Sequence, residues 1–254
     1  MDLNKVLQVS TFAGKIMLES GAETYRVEET ICKICTSFGA EQADSFVIPT
    51  GIMVSISNED EAVSLVKRVT SRGVDLNKID KINDLARKTQ MESLSINDFY
   101  KQLVEISKGE RYSDLYTLFW AAISGGSFAL LFGADGKDFI SATLIGLAIK
   151  IVGIICRRFN INEFFINSLC GAICAFLAII FIKIDIGSNL DKIIIGSIML
   201  LVPGLTITNA IRDTIAGDLL SGMTKALEAF LVAVSIAIGT GGILSIFINA
   251  LGGV

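Results

Sequence analysis

The chain of 254 residues carries 22 Lys and Arg against 26 Asp and Glu, a net charge of −4, and 52% of it is hydrophobic, with a mean hydropathy of +0.61. That is too apolar for an ordinary soluble domain of this length, and the acidic balance excludes the basic surface that a nucleic-acid partner needs. Histidine is absent, which excludes Ser-His-Asp and Cys-His catalysis and the HExxH metal motif.

The charges are unevenly placed. Residues 1–114 hold 14 Lys/Arg and 18 Asp/Glu, whereas residues 115–254 hold 8 of each. This predicts a small cytosolic α+β domain over 1–114 and a transmembrane domain over 115–254. The start of the chain interleaves acidic and basic residues without an uninterrupted apolar core, so it does not read as a secretory signal, and the first domain is expected in the cytosol.

Leu3, Val6, Leu7, Ala13, Gly14 and Met17 recur at helical spacing and predict a helix over 2–20 that ends at Gly21. A second helix is predicted from about Glu23 to Phe38, with the stripe Val27, Ile31, Ile34 and Phe38. Extending the stripe back one turn reaches Glu23, with Arg26 three residues on, so a carboxylate and a guanidinium share the domain-facing side. Cys32 and Cys35 form a CxxC, but it lacks the strand-to-helix setting of a redox pair and the two further ligands of a zinc site. The five cysteines read as small packing residues in a reducing compartment, and no metal or other cofactor is expected.

The run DSFVIPTGIMVSISNED predicts a β-hairpin turning at Pro49-Thr50-Gly51, and Ala62 onward a third strand. Asp75 caps a helix carrying Leu76, Ile79, Ile82 and Leu85. Ser95 with Asp98 opens another, which bears Ile96, Phe99, Leu103 and Ile106 and ends near Gly109.

Five apolar runs follow, at 115–132, 139–156, 164–182, 193–211 and 229–251, each long enough for one bilayer crossing. Lys150 alone interrupts them with a charge; snorkelling toward Arg157-Arg158 is the simplest reading, a buried counter-ion the other. Tyr112, Tyr116 and Trp120 mark an interface. Five crossings from a cytosolic N-terminus put the C-terminus outside, giving a multi-pass protein of the inner (cytoplasmic) membrane. The Gly239-Thr240-Gly241-Gly242 cluster is dense enough to predict local unwinding of the fifth span.

The fourth run carries Pro203-Gly204 at its middle. A proline there removes a backbone donor and frees a carbonyl that needs a partner in lipid. Thr206, Thr208 and Asn209 follow, then Arg212, Asp213 and Asp218, and Glu228 stands at the mouth of the fifth span. Pro203, Gly204, Thr206, Asn209, Arg212, Asp213, Asp218 and Glu228 are thus candidates for a solute pathway, as in transporters with broken helices. Arg212 could pair a substrate carboxylate. A kinked span whose polar groups bond only neighbouring backbone would show the same pattern.

SGAETYRVEETI at 20–31, PTG at 49–51 and LVPGLTITNAIRDTIAGDLLSGMTKALEA at 201–229 together resemble the bacterial threonine/serine exporter family over nearly the whole chain. By position Gly21, Glu23, Arg26, Val27 and Glu28 match the first block, and Pro203, Gly204, Asn209, Asp213, Gly217, Asp218 and Gly222 the second. The resemblance implies export of small polar metabolites, threonine and serine in single-chain members and succinate in a two-component member. It also implies that this chain works with a second small membrane subunit or another copy of itself. The competing reading is a membrane-anchored enzyme or sensor acting through its cytosolic domain. Five spans with a central break and no nucleophile-base pair or phosphate loop favour transport, driven by a proton or substrate gradient.

Overall fold

The computed structural model describes residues 2–59, 61–91, 94–109 and 112–251, with no description of the side chains at 250 and 251. In chain order the elements are α1 (Leu3–Glu19), α2 (Thr24–Ser37), β1 (Gln42–Ile48), β2 (Gly51–Ser57), β3 (Ala62–Arg68), α3 (Leu76–Met91), α4 (Ile96–Lys108), α5 (Asp114–Leu131), α6 (Gly136–Arg158), α7 (Glu163–Lys183), α8 (Leu190–Ile198), α9 (Gly204–Ala216) and α10 (Leu219–Leu251). They form two compact units. One takes residues 1–110 with 205–227, the other 111–204 with 228–254. The segment 205–227 thus belongs to the N-terminal unit.

In that first unit the strands make an antiparallel sheet in the order β1-β2-β3, with Phe46 opposite Met53 and Met53 opposite Val66. Strand alternation turns Val47, Ile52, Val54 and Ile56 inward. They join Met17, Val27, Ile31, Ile34, Ile82, Phe99 and Leu103 in one core. The N-terminal helix packs close to its neighbour because Gly14 has no Cβ, which would lie 2.4 Å from the Ile31 side chain. The predicted caps form. Asp75 accepts from the Lys78 amide at 3.0 Å, and the Ser95 hydroxyl accepts from the Asp98 amide at 3.2 Å while donating to the Asp98 carboxylate at 2.7 Å. The Cys35 thiol donates to the Ser10 hydroxyl at 3.1 Å, and burial pushes its pKa up to about 11, so it is a packed thiol, not a reactive thiolate.

In the second unit α6, α7 and α8 share a core of Ile145, Ile149, Ile166, Cys170, Cys174, Ala175, Ile193 and Ile194. The Asp138 carboxylate, 1% exposed, accepts from the amides of Ser188 and Asn189 at 2.7 and 2.9 Å and so fixes the entry into α8. Tyr112, Tyr116 and Trp120 are exposed and in ring contact, as an interfacial belt requires.

Among the described residues four helices are long and apolar enough to cross a membrane: Asp114–Leu131, Gly136–Arg158, Glu163–Lys183 and Leu219–Asn249. The chain is a multi-pass membrane protein, but the fourth of the five predicted runs is not one helix. The eighth helix stops at Ile198, residues 199–203 turn, and the ninth starts at Gly204. Pro203 has no amide to continue the ladder and its ring disfavours helical backbone at Val202. The turn closes locally instead, with Leu201 N–H donating to Ile198 O at 2.7 Å. Conversely, the tenth helix runs unbroken through Gly239-Thr240-Gly241-Gly242, where unwinding was expected. Gly239 and, on α7, Gly171 serve close packing: a Cβ on Gly239 would lie 1.9 Å from Ser168 O, one on Gly171 would lie 2.8 Å from Ile236 O, and Thr240 donates to Gly171 O at 3.3 Å, whereas Gly241 and Gly242 face open space.

Candidate functional site

The start of α2 lacks a local cap. Glu23 occupies the cap position, and its side chain bonds none of the helix's free amides. The missing acceptor comes from α9, where Asp213, fully buried, takes the Thr24 amide on Oδ1 and the Thr24 hydroxyl on Oδ2, both at 3.0 Å. A carboxylate at that helix end also meets the positive end of the helix dipole. Lys225 of α10, 7% exposed, donates to Asp213 Oδ2 at 2.7 Å and reaches Ala22 O and Thr24 Oγ1 at 3.4 Å. The buried pair is therefore hydrogen-bonded on both sides, the condition under which a buried charge is tolerated.

The chain between the first two helices is held by the same ninth helix. Gly21 takes a left-handed backbone, φ +85°, and a Cβ there would lie 2.9 Å from Gly73 O. Its carbonyl accepts from Asn209 Nδ2 at 2.8 Å. Glu23, 6% exposed, is shared between Arg212 Nη1 at 2.5 Å and Arg26 Nη1 at 3.6 Å. Burial pushes the Glu23 carboxyl up, but its own backbone amide and the two guanidinium groups outweigh that and hold it below the usual carboxylate range.

Glu28, one turn further along α2, accepts from the Val47 amide at 2.7 Å. Burial raises its carboxyl; the Val47 amide opposes this, and the charges of Asp218 and Asp213 add to it. Asp218 is also raised, first by burial and then by Asp213, with Lys225 opposing. Ser221 donates to Val47 O at 3.5 Å, tying the start of the last helix to the sheet. Among the described residues no group of acidic or sulfur ligands could hold a metal ion.

A cavity of about 340 Å³ opens beside this cluster, with Glu23, Arg26, Thr208, Asn209 and Arg212 as its polar wall and Leu76 and Ile79 as its apolar one. Arg212 faces it with a side chain still 57% exposed while paired to Glu23. Of the predicted residues the fold thus brings together Gly21, Glu23, Arg26, Asn209 and Arg212 around the cavity, with Glu28, Asp213 and Asp218 behind it. Pro203 and Gly204 sit at the break, Thr206 is half-buried outside the lining, and Glu228 is half-buried on the tenth helix, three residues past Lys225. Thr24 and Lys225 were missed as site residues. Both lie inside the two blocks quoted above, but no spacing rule links residues 201 apart in sequence.

Residues 8–247 match the model of a family described as "Putative threonine/serine exporter", ThrE. A "Probable threonine/serine exporter" of Mycobacterium tuberculosis is 20% identical over 241 residues, 92% of this chain. A "Probable succinate transporter subunit YjjP" of Klebsiella aerogenes is 22% identical over 235 residues, 88% of this chain. The chain spans 45% of the length of the first relative and 86% of the second. No solved structure matches it. Matched over nearly all its length, the chain belongs to the threonine/serine exporter family.

Proposed function

We propose that the chain is a subunit of a secondary exporter of small polar solutes that carry a carboxylate, and that the cavity between α2, α3 and α9 recognises the solute. The observation that carries this is the placement of Glu23 between Arg26 and Arg212 on the cavity wall. An entering carboxylate can replace Glu23 on the guanidinium groups, and the freed Glu23 then suits an ammonium group. Threonine or serine would use both halves of this arrangement, and succinate the two arginines alone.

The apolar helices favour an odd number of crossings, with the two ends of the chain on opposite sides of the membrane. Three apolar helices, α5 to α7, make three crossings. Asp213 and Lys225 nevertheless bond Thr24 within one unit, so residues 190–204 must bring the chain back. The helical part of that return, α8, is only 9 residues long, and the remainder is the break at 199–203. Discontinuous helices of this kind line the solute sites of transporters. A second membrane subunit, or a second copy, would cover the polar groups around the break. The relative named as a transporter subunit and the one about twice this chain's length both favour such a partner.

Inverted membrane vesicles loaded by the chain with its partner test the reading. Labelled threonine, serine and succinate should enter, faster with a proton gradient. Arg212→Gln should lower uptake of any carboxylate solute tenfold or more, in line with a lost charged hydrogen bond of about 1.5–3 kcal/mol. Unchanged uptake at normal protein levels refutes the role of Arg212. Hydrolytic activity of the chain without vesicle uptake would favour the membrane-anchored enzyme instead.

A further inference from the structure

The second unit holds a cavity of its own, about 100 Å³, lined by Lys150, Gly153 and Arg157 of α6, Asn167 of α7, and Leu200 and Leu201 of the break. Lys150 lies eight residues before the end of its helix, about 12 Å along the axis, and is half-buried. It has no hydrogen bond and no ion pair among the described residues. The carboxylates at that end of the helix are taken: Glu163 by Arg157 at 2.7 Å and Asp114 by Arg158 at 3.1 Å. Asn167 is 7% exposed, and its carboxamide likewise has no partner among the described residues, although it borders the cavity. Arg157 engages Glu163 through Nε and Nη2, and its Nη1 lies 3.8 Å from where a Gly153 Cβ would stand.

An ammonium, a buried amide and a spare guanidinium nitrogen therefore line one small space, and no carboxylate lines it with them. Buried polar groups are satisfied in native structures, and a charge inside a membrane segment is costly without a partner. Snorkelling satisfies Lys150 alone and leaves Asn167 unexplained. We propose that this cavity is a second anion site, within the membrane unit, and that it takes the carboxylate of the exported solute. One carboxylate oxygen accepts from Lys150 and the other from Asn167, while Leu200 and Leu201 face the solute's carbon chain. Two oxygens on two separated donors match a carboxylate better than a spherical halide. The lining by residues of the break also ties occupancy to the segment that interrupts the fourth crossing. That the anion belongs to an exported solute rests on the exporter reading above; the anion site itself does not.

Equilibrium dialysis of the purified full-length chain in detergent, with labelled acetate as probe, tests this without any transport step. Saturable binding is expected, displaced by unlabelled serine or succinate and not by equimolar chloride. Lys150→Met should weaken it at least tenfold, Lys150→Arg should hold it within about threefold, and Asn167→Ala should fall between. Gly153→Leu keeps every charge and fills space that is open beside Arg157, so it should also abolish binding; its elution volume and thermal midpoint report whether it folds. Absence of binding to the folded wild type, equal binding by Lys150→Met, or displacement by chloride as effective as by serine would each overturn the proposal. Acetate binding with no solute export in vesicles would leave the site standing and remove the exporter reading. Export with no acetate binding would do the reverse.

Discussion

Asp213 caps a helix that begins 189 residues before it, accepting both the amide and the hydroxyl of Thr24 at 3.0 Å while Lys225 neutralises it at 2.7 Å. This contact joins the two sequence blocks that carry the family resemblance. It makes α9 and the start of α10 part of the N-terminal unit.

Breaking the Asp213–Lys225 pair on one side should leave an uncompensated buried charge. Asp213→Asn or Lys225→Met is expected to destabilise the chain by about 3–5 kcal/mol, and the double change by markedly less. Thermal unfolding in detergent measures this. A loss in the double variant equal to the sum of the two single losses would mean that the pair does not act as a unit.

Glu23 is shared, so its coupling to the two arginines should be unequal. A double-mutant cycle on Glu23→Gln with Arg212→Gln should give a larger interaction energy than one with Arg26→Gln, because the first contact is 2.5 Å and the second 3.6 Å. Arg26 and Arg212 keep 40% and 57% of their side chains exposed, so both coupling energies should stay near or below about 1 kcal/mol. Additive effects in the Glu23–Arg212 cycle would remove the pair from the site.

The raised carboxyls of Glu28 and Asp218 set a pH dependence with a definite sign. In the folded chain each keeps its proton above its ordinary value, 4.5 for Glu28 and 3.8 for Asp218. The native state then binds more protons than the unfolded one, so stability falls as pH rises through that window and is greatest below it. Glu28→Gln, which keeps an acceptor for the Val47 amide, should be more stable than wild type at neutral pH, with the difference vanishing in acid. Glu23, held low, acts oppositely: its stabilising share is present above its ordinary value of 4.5 and is lost as pH falls through its lowered folded value. A Glu28→Gln advantage that persists unchanged at low pH would exclude a titration effect.

Gly239 has no room for a side chain against Ser168 O. Gly239→Leu should lower the thermal midpoint, with a cost at or above the 1–3 kcal/mol usual for overpacking. Gly241→Leu should be tolerated, because nothing lies within 4 Å of its Cβ position. Equal effects at the two sites would refute the packing role.

The sequence by itself determined the local elements of the N-terminal part. Periods of 3.6 and 2 residues placed α1 to α4 and the hairpin, because each depends on which face of a short segment is buried. The Pro203-Gly204 pair marked a break, since a proline's missing amide acts wherever it lies. Periodicity could not say that the break would separate α8 from α9 altogether, nor that the glycines at 239–242 would stay helical; both depend on neighbours brought up by folding. Glu23 was legible on the stripe of its helix, but its partner Arg212 was not. Arg212 read as free to meet a solute, and only the tertiary structure set it against Glu23. The same holds for Thr24 with Asp213: a hydrogen bond needs two groups within about 3 Å, and separation along the chain carries no information about that distance.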